Sequence, residues 1–174
     1  LTNFNSILES LKNLNKNLKQ DLKYRPKENA GLDSSKRFSK IFGAQFLENP
    51  KSLSYYNSIK ESKLIICFIP QTSFIEPLYA NIPTILVGNN YGFFDNKERR
   101  KLLLQMKNDK LFFDNTKEAV KFLNKNWGNI ENWWNKSGTQ KIRKKILNFY
   151  YSPEKDFSKK LFNLIKTEKR SLVN

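Results

Sequence analysis

The chain has 174 residues, 39% of them hydrophobic, with 14 Phe, 7 Tyr and 3 Trp, enough for one domain with a sizeable core. Its net charge is +16, from 32 Lys and Arg against 16 Asp and Glu, so a polyanion is the first class of partner to weigh. It has no histidine and a single cysteine, Cys67. That excludes histidine triads, a histidine general base, internal disulfides and an ordinary zinc site.

The charge has a second source. The cations are overwhelmingly Lys, Asn is abundant, and Arg stands only at 25, 37, 99, 100, 143 and 170. An AT-rich coding sequence produces that bias without any binding partner. Nucleic-acid recognition favours the donor fork of Arg, so no specific nucleic acid is expected. No apolar run approaches the roughly 18 residues of a membrane span, and no signal peptide is visible. The expected location is the cytoplasm, with a peripheral contact at the inner face of the membrane as an open alternative. The chain opens on Leu1, and the expectation is that it is a piece of a longer protein.

In chain order, Phe4–Leu18 carries apolar residues at helical spacing. Leu22–Tyr24 is a short strand that Pro26 ends. Asp33 or Ser34 caps a helix running to Phe42, with Gly43 as its stop. Ala44–Leu47 is a weak strand. A helix starts at Ser52 or Ser54, with Leu53, Tyr56 and Ile59 on one face.

Two Ile- and Val-rich runs follow, Leu64–Ile69 and Ile82–Val87. They do not alternate with polar residues, as expected of parallel strands buried on both faces. Ser73–Asn81 between them is about the length of a short crossover helix, which makes a βαβ unit. After a loop at Asn89–Asn96, Lys97–Asn108 is a helix with Leu102, Leu103 and Met106 inward. Leu111–Phe113 is a strand. A helix beginning near Thr116 buries Ala119, Val120, Leu123 and Trp127. Ile130–Asn135 is a short helical piece, and Thr139–Tyr151 and Asp156–Lys169 are amphipathic helices. The expectation is an α/β, three-layer Rossmann-like fold with a parallel sheet of about five strands over residues 1–150, and a helical tail at 151–174.

The chemistry concentrates at the turn Gln71-Thr72-Ser73. Backbone N–H groups at a helix start favour a phosphate, and the two hydroxyls add donors. Glu76, one turn on, can accept from two ribose hydroxyls, as acidic residues do in dinucleotide folds. The same Ser73-x-x-Glu76 spacing is also that of a capping box, a purely structural device.

The order of these elements carries a resemblance. The LIICF strand, TSFIEPLYANIPTILV, the Asn-rich loop, the basic helix, LFFD and the later ENWWN together resemble the C-terminal, donor-binding half of a GT-B glycosyltransferase. More narrowly, they are similar to poorly characterised bacterial surface-polysaccharide transferases. The resemblance covers roughly Lys23 to Tyr150 and is sharpest over Ser54–Asn90.

The resemblance implies a nucleotide-sugar donor and a glycan or lipid-linked acceptor, with no cofactor and no metal. Thr72 and Ser73 would hold phosphate, with Gln71 completing the turn, and Glu76 would take the ribose. Arg25 would neutralise phosphate or a carboxylate. Asn89, Asn90 and Tyr91 would lie beside the donor. The acceptor domain and the catalytic base would lie outside this chain. Two departures stand out: the position eight before Glu76 is Phe68 rather than the second glutamate of many retaining enzymes, and the Gly-rich turn is replaced by Gln71-Thr72-Ser73. The other readings are a nucleotide-sugar epimerase of the same fold, and a basic non-catalytic module for nucleic acid or membrane. Trp133-Trp134 is expected to pack the tail on the sheet rather than to stack a sugar. Lys141, Arg143, Lys144 and Lys145 read as a solvated helix face, with an anionic bilayer as the alternative.

Overall fold

The computed structural model describes residues 2–26, 33–49, 54–88, 94 and 96–150, apart from the side chains of 2, 3 and 150. The tail expected at 151–174 lies outside them. In order come α1 (Thr2–Leu11), α2 (Lys16–Asp21), α3 (Ser34–Phe42), a 3-10 turn (Ala44–Phe46) and α4 (Tyr55–Glu61). Then follow β1 (Ile65–Cys67), α5 (Thr72–Tyr79), β2 (Thr84–Val87), α6 (Lys97–Asn108), β3 (Phe112–Phe113) and α7 (Thr116–Asn126). A second 3-10 turn (Trp127–Asn129), α8 (Ile130–Asn135) and α9 (Ser137–Tyr150) complete the order.

The strands form one parallel sheet in the order β1-β2-β3. Ile65 pairs with Thr84 and Cys67 with Leu86, while Leu86 and Val87 pair with Phe112 and Phe113. The central strand β2 is wholly inaccessible along its length, which is why its sequence shows no alternation. The molecule is therefore α/β, built on two successive βαβ units.

Among the described residues the sheet has three strands rather than the expected five. Tyr24 and Leu47, from the two other predicted strands, meet only in an isolated parallel bridge. Tyr24 N–H donates to Phe46 O at 2.8 Å and Glu48 N–H to Tyr24 O at 2.9 Å. Continuing this ladder would require an N–H at residue 26, which is proline. On the other strand Ala44–Phe46 is wound into the 3-10 turn. The predicted Phe4–Leu18 helix is also broken, between Leu11 and Lys16. Asn124 of α7 occupies the break: its Nδ2 donates to Asn13 O and its Oδ1 accepts from Asn15 N–H, both at 2.8 Å.

Both crossover helices end in the same way. Asn81 and Lys110 adopt left-handed φ of 60° and 64°. Ile82 N–H reaches back to Pro77 O at 2.9 Å, and Leu111 N–H to Met106 O at 2.8 Å. These are Schellman turns feeding β2 and β3. Each is held by one indole of α8. Trp134 Nε1–H donates to Asn81 O at 3.0 Å, and Trp133 Nε1–H to Asp109 O at 2.9 Å. The rings are only 2% and 7% exposed. The tryptophan pair thus packs α8 against the N-terminal edge of the sheet, as expected, and serves no stacking platform at the opposite edge. Arg143 of α9 adds a further tie: its Nε–H donates to Leu78 O at 2.6 Å, where a cation suits the carbonyl end of α5. Burial lowers the pKa of this guanidinium. No helix among the described residues is long and apolar enough to cross a membrane.

Candidate functional site

In open α/β sheets a ligand sits outside the carboxyl ends of the strands. Here those ends are Cys67, Val87 and Phe113. Gly88 turns the chain out of β2 with φ 115°, a conformation that side-chain-bearing residues rarely adopt. The Asn89, Asn90 and Tyr91 that follow lie outside the described residues.

The turn after β1 opens α5. Its N-cap is Gln71, whose backbone carbonyl accepts from Phe74 N–H at 2.8 Å and Ile75 N–H at 3.1 Å, and whose side chain makes no cap bond. The capping-box reading of Ser73 and Glu76 therefore does not hold, because the helix begins at Thr72 and both residues lie inside it. Gln71, Thr72, Ser73 and Glu76 are all exposed. The first N–H groups of the helix point toward the strand ends, where the helix dipole favours an anion.

Pro77 shapes this turn. It has no N–H to give the carbonyl four residues earlier, which belongs to Ser73. That carbonyl accepts instead from the Cys67 thiol at 3.1 Å and, at a long 3.4 Å, from the Tyr55 hydroxyl. The first turn of α5 is thereby fastened to β1 and to α4. α4 itself is capped by Ser54, whose Oγ accepts from Asn57 N–H at 3.2 Å.

Tyr55 also reaches the other predicted residues. The Arg25 guanidinium lies over its ring at 5.6 Å, within cation–π range. Arg25 Nη1 pairs with Glu48 Oε2 at 3.2 Å. The Glu48 carboxylate in turn accepts from Ser58 Oγ at 2.7 Å. The Tyr55 phenol is pushed up to about 12, first by burial and then by the neighbouring Glu76 carboxylate. It therefore stays a neutral donor at physiological pH. The structure brings Arg25 to Ser73 and Glu76 through Tyr55. Sequence reasoning placed Tyr56 on the inner face of α4; it is 69% exposed, while Tyr55 and Ser58 turn inward. Glu48, Ser58 and Tyr55 were not foreseen as part of this cluster. The signal for the two α4 residues was their i, i+3 spacing.

Burial likewise pushes the Cys67 thiol from 9.0 up to about 12. In both groups the folded pKa exceeds the unfolded one. Their neutral forms support the fold below pH 9, and stability falls as pH rises from 9 toward 12. At about pH 8 the native thiol should alkylate on the order of 1000-fold more slowly than the urea-unfolded chain. Comparable rates in the two states would contradict the burial of Cys67.

The concave surfaces elsewhere, between α1 and α3 at Asn5, Glu9 and Arg37 and beside α8 at Lys63 and Glu131, do not include this turn. The strand-end cluster has no three acidic or cysteine groups at metal-binding spacing among the described residues.

A family model, described as LIC12162 family transferase, matches residues 2–165. The chain belongs to the LIC12162 family of transferases. That match spans every element described above, including the Arg25–Tyr55–Ser73 cluster and the tryptophan pair. No curated protein and no solved structure matches the chain at a significant level. As a LIC12162 family transferase the protein is an enzyme or part of one.

Proposed function

We propose that this chain is the donor-binding part of a GT-B-type glycosyltransferase. It takes a sugar or related group from a nucleotide carrier to a surface-glycan or lipid-linked acceptor. The observation that most supports this reading is the convergence of Arg25, Tyr55, Ser73 and Glu76 on the first turn of α5, at the carboxyl end of β1. Thr72 and Ser73 hold the donor phosphates through N–H and hydroxyl groups. Arg25 neutralises them, and Glu76 accepts from the ribose. Charge builds on the phosphate as the bond to the sugar breaks, so the same donors favour the transition state over the ground state. The general base for the acceptor comes from outside the chain, across an interdomain cleft.

Thermal unfolding in CMP, UDP, GDP and CDP tests this. One nucleotide raises the midpoint, by the equivalent of about 2.7 kcal/mol at a hundredfold excess over its Kd, and Glu76→Ala removes the rise. No response to any of the four, together with tight binding of random duplex DNA, would refute the reading.

A further inference from the structure

We propose that the outer face of α6 and α9 docks the protein on an anionic lipid surface. The two helices lie side by side and antiparallel. Lys145 Nζ donates to Gln105 Oε1 at 3.0 Å, and the Arg99 guanidinium lies over the Phe149 ring at 5.2 Å, so position rises on one helix as it falls on the other. Their outward positions carry Lys97, Arg100, Lys101, Lys141, Lys144 and Lys145, all exposed. Glu98 is the one acidic residue on the two helices. Among these cations stands Leu104, 62% exposed. Arg143 is excluded, since it turns inward to cap α5.

Three features commit the face to lipid. A basic helix surface with an exposed apolar side chain at its centre matches a bilayer interface, where cations meet headgroups and the apolar tip enters the acyl boundary. Leu104 has no use against a phosphate backbone, which offers it no apolar contact. The cations on α6 also crowd its N-terminal turns, where the helix dipole disfavours positive charge. Local helix stability does not explain that placement. The residues from 151 onward, themselves rich in Lys, are the wrong charge to neutralise this face.

The test is cosedimentation of the full chain with phosphatidylcholine vesicles, with and without phosphatidylserine. Binding should require phosphatidylserine and be lost at high salt. The triple variant Lys101→Gln, Lys144→Gln, Lys145→Gln should weaken it about 100-fold. Leu104→Ser should weaken it several-fold without changing affinity for duplex DNA. A control triple on α7, Lys117→Gln, Lys121→Gln, Lys125→Gln, should have a much smaller effect, and all variants should unfold at the wild-type temperature. Equal binding to both vesicle types, no binding, or equal effects of the two triples would overturn the proposal. DNA binding that falls with the first triple while vesicle binding does not would reassign the face to nucleic acid. None of these results depends on the nucleotide site.

Discussion

Trp134→Ala is expected to lower the unfolding free energy by about 3–5 kcal/mol, the usual range for removing a buried tryptophan. The ring is 2% exposed and joins the core shared by the sheet, α5, α6 and α9. Its indole N–H also serves both Asn81 O at 3.0 Å and Asn81 Oδ1 at 3.1 Å. Removing it opens a cavity and frees the turn through which α5 enters β2. Trp134→Phe separates the two effects: most of the apolar volume stays, the N–H is lost, and the expected loss is about 1–3 kcal/mol. Neither variant should alter nucleotide affinity in the protein that remains folded, because Asn81 lies at the N-terminal edge of the sheet and the proposed donor turn at the other. Urea unfolding and nucleotide titration of the same samples measure both. A loss below about 1 kcal/mol for Trp134→Ala would contradict the packing. A change in affinity without a change in stability would move the tryptophan into the binding site.

Arg25→Ala is the second large effect, and it should appear in two observables. In binding, losing one charge-assisted contact to the donor phosphates should weaken nucleotide affinity by about 10–100-fold. In stability, it strands Glu48, whose side chain is 13% exposed, with Ser58 as the remaining partner described for its carboxylate. The pair is partly buried, between the exposed and interior extremes, so a loss of about 2 kcal/mol is expected. The double variant Arg25→Met, Glu48→Gln tests the separation. It removes the stranded charge and should recover most of the stability while leaving affinity low. Recovery of both would mean that Arg25 acts only through the fold. Unchanged affinity in Arg25→Ala would remove it from the site.

Much of the centre of the fold was legible in the residues. The Ile- and Val-rich runs around TSFIEPLYAN named β1 and β2 because a strand covered on both faces needs no polar alternation. Lys97–Asn108 was legible to its ends, since Asn96 is a good cap and Leu102, Leu103 and Met106 repeat at helical spacing. The two missing strands were misread because local propensity does not report ladder continuity. Pro26 was seen as the end of a strand, but its missing N–H also limits the pairing of Tyr24 to a single bridge. The break after Leu11 was hidden because its stabiliser, Asn124, is more than a hundred residues away.

The site was partly legible. Gln71-Thr72-Ser73 and Glu76 could be named from their place after a strand, and Arg25 only from the family resemblance. The apparent capping box misled because an N-cap depends on where the helix begins, and a helix starting two residues earlier, at Thr72, put Ser73 inside it. Glu48 and Tyr55 escaped notice because their meaning comes from tertiary placement: Tyr55 is ordinary on a helix until Pro77 leaves the Ser73 carbonyl needing a donor.

The most direct test of the donor turn is to follow backbone amide resonances of the labelled chain while adding the nucleotide that stabilises it best. A phosphate seated at the start of α5 should shift the Thr72 and Ser73 N–H signals more than any others among the described residues, with Glu76 responding as well. The signals of α8 at the opposite edge of the sheet should hardly move. Saturable shifts confined to α6 and α9, or none at Thr72 and Ser73, would contradict a donor site at this turn.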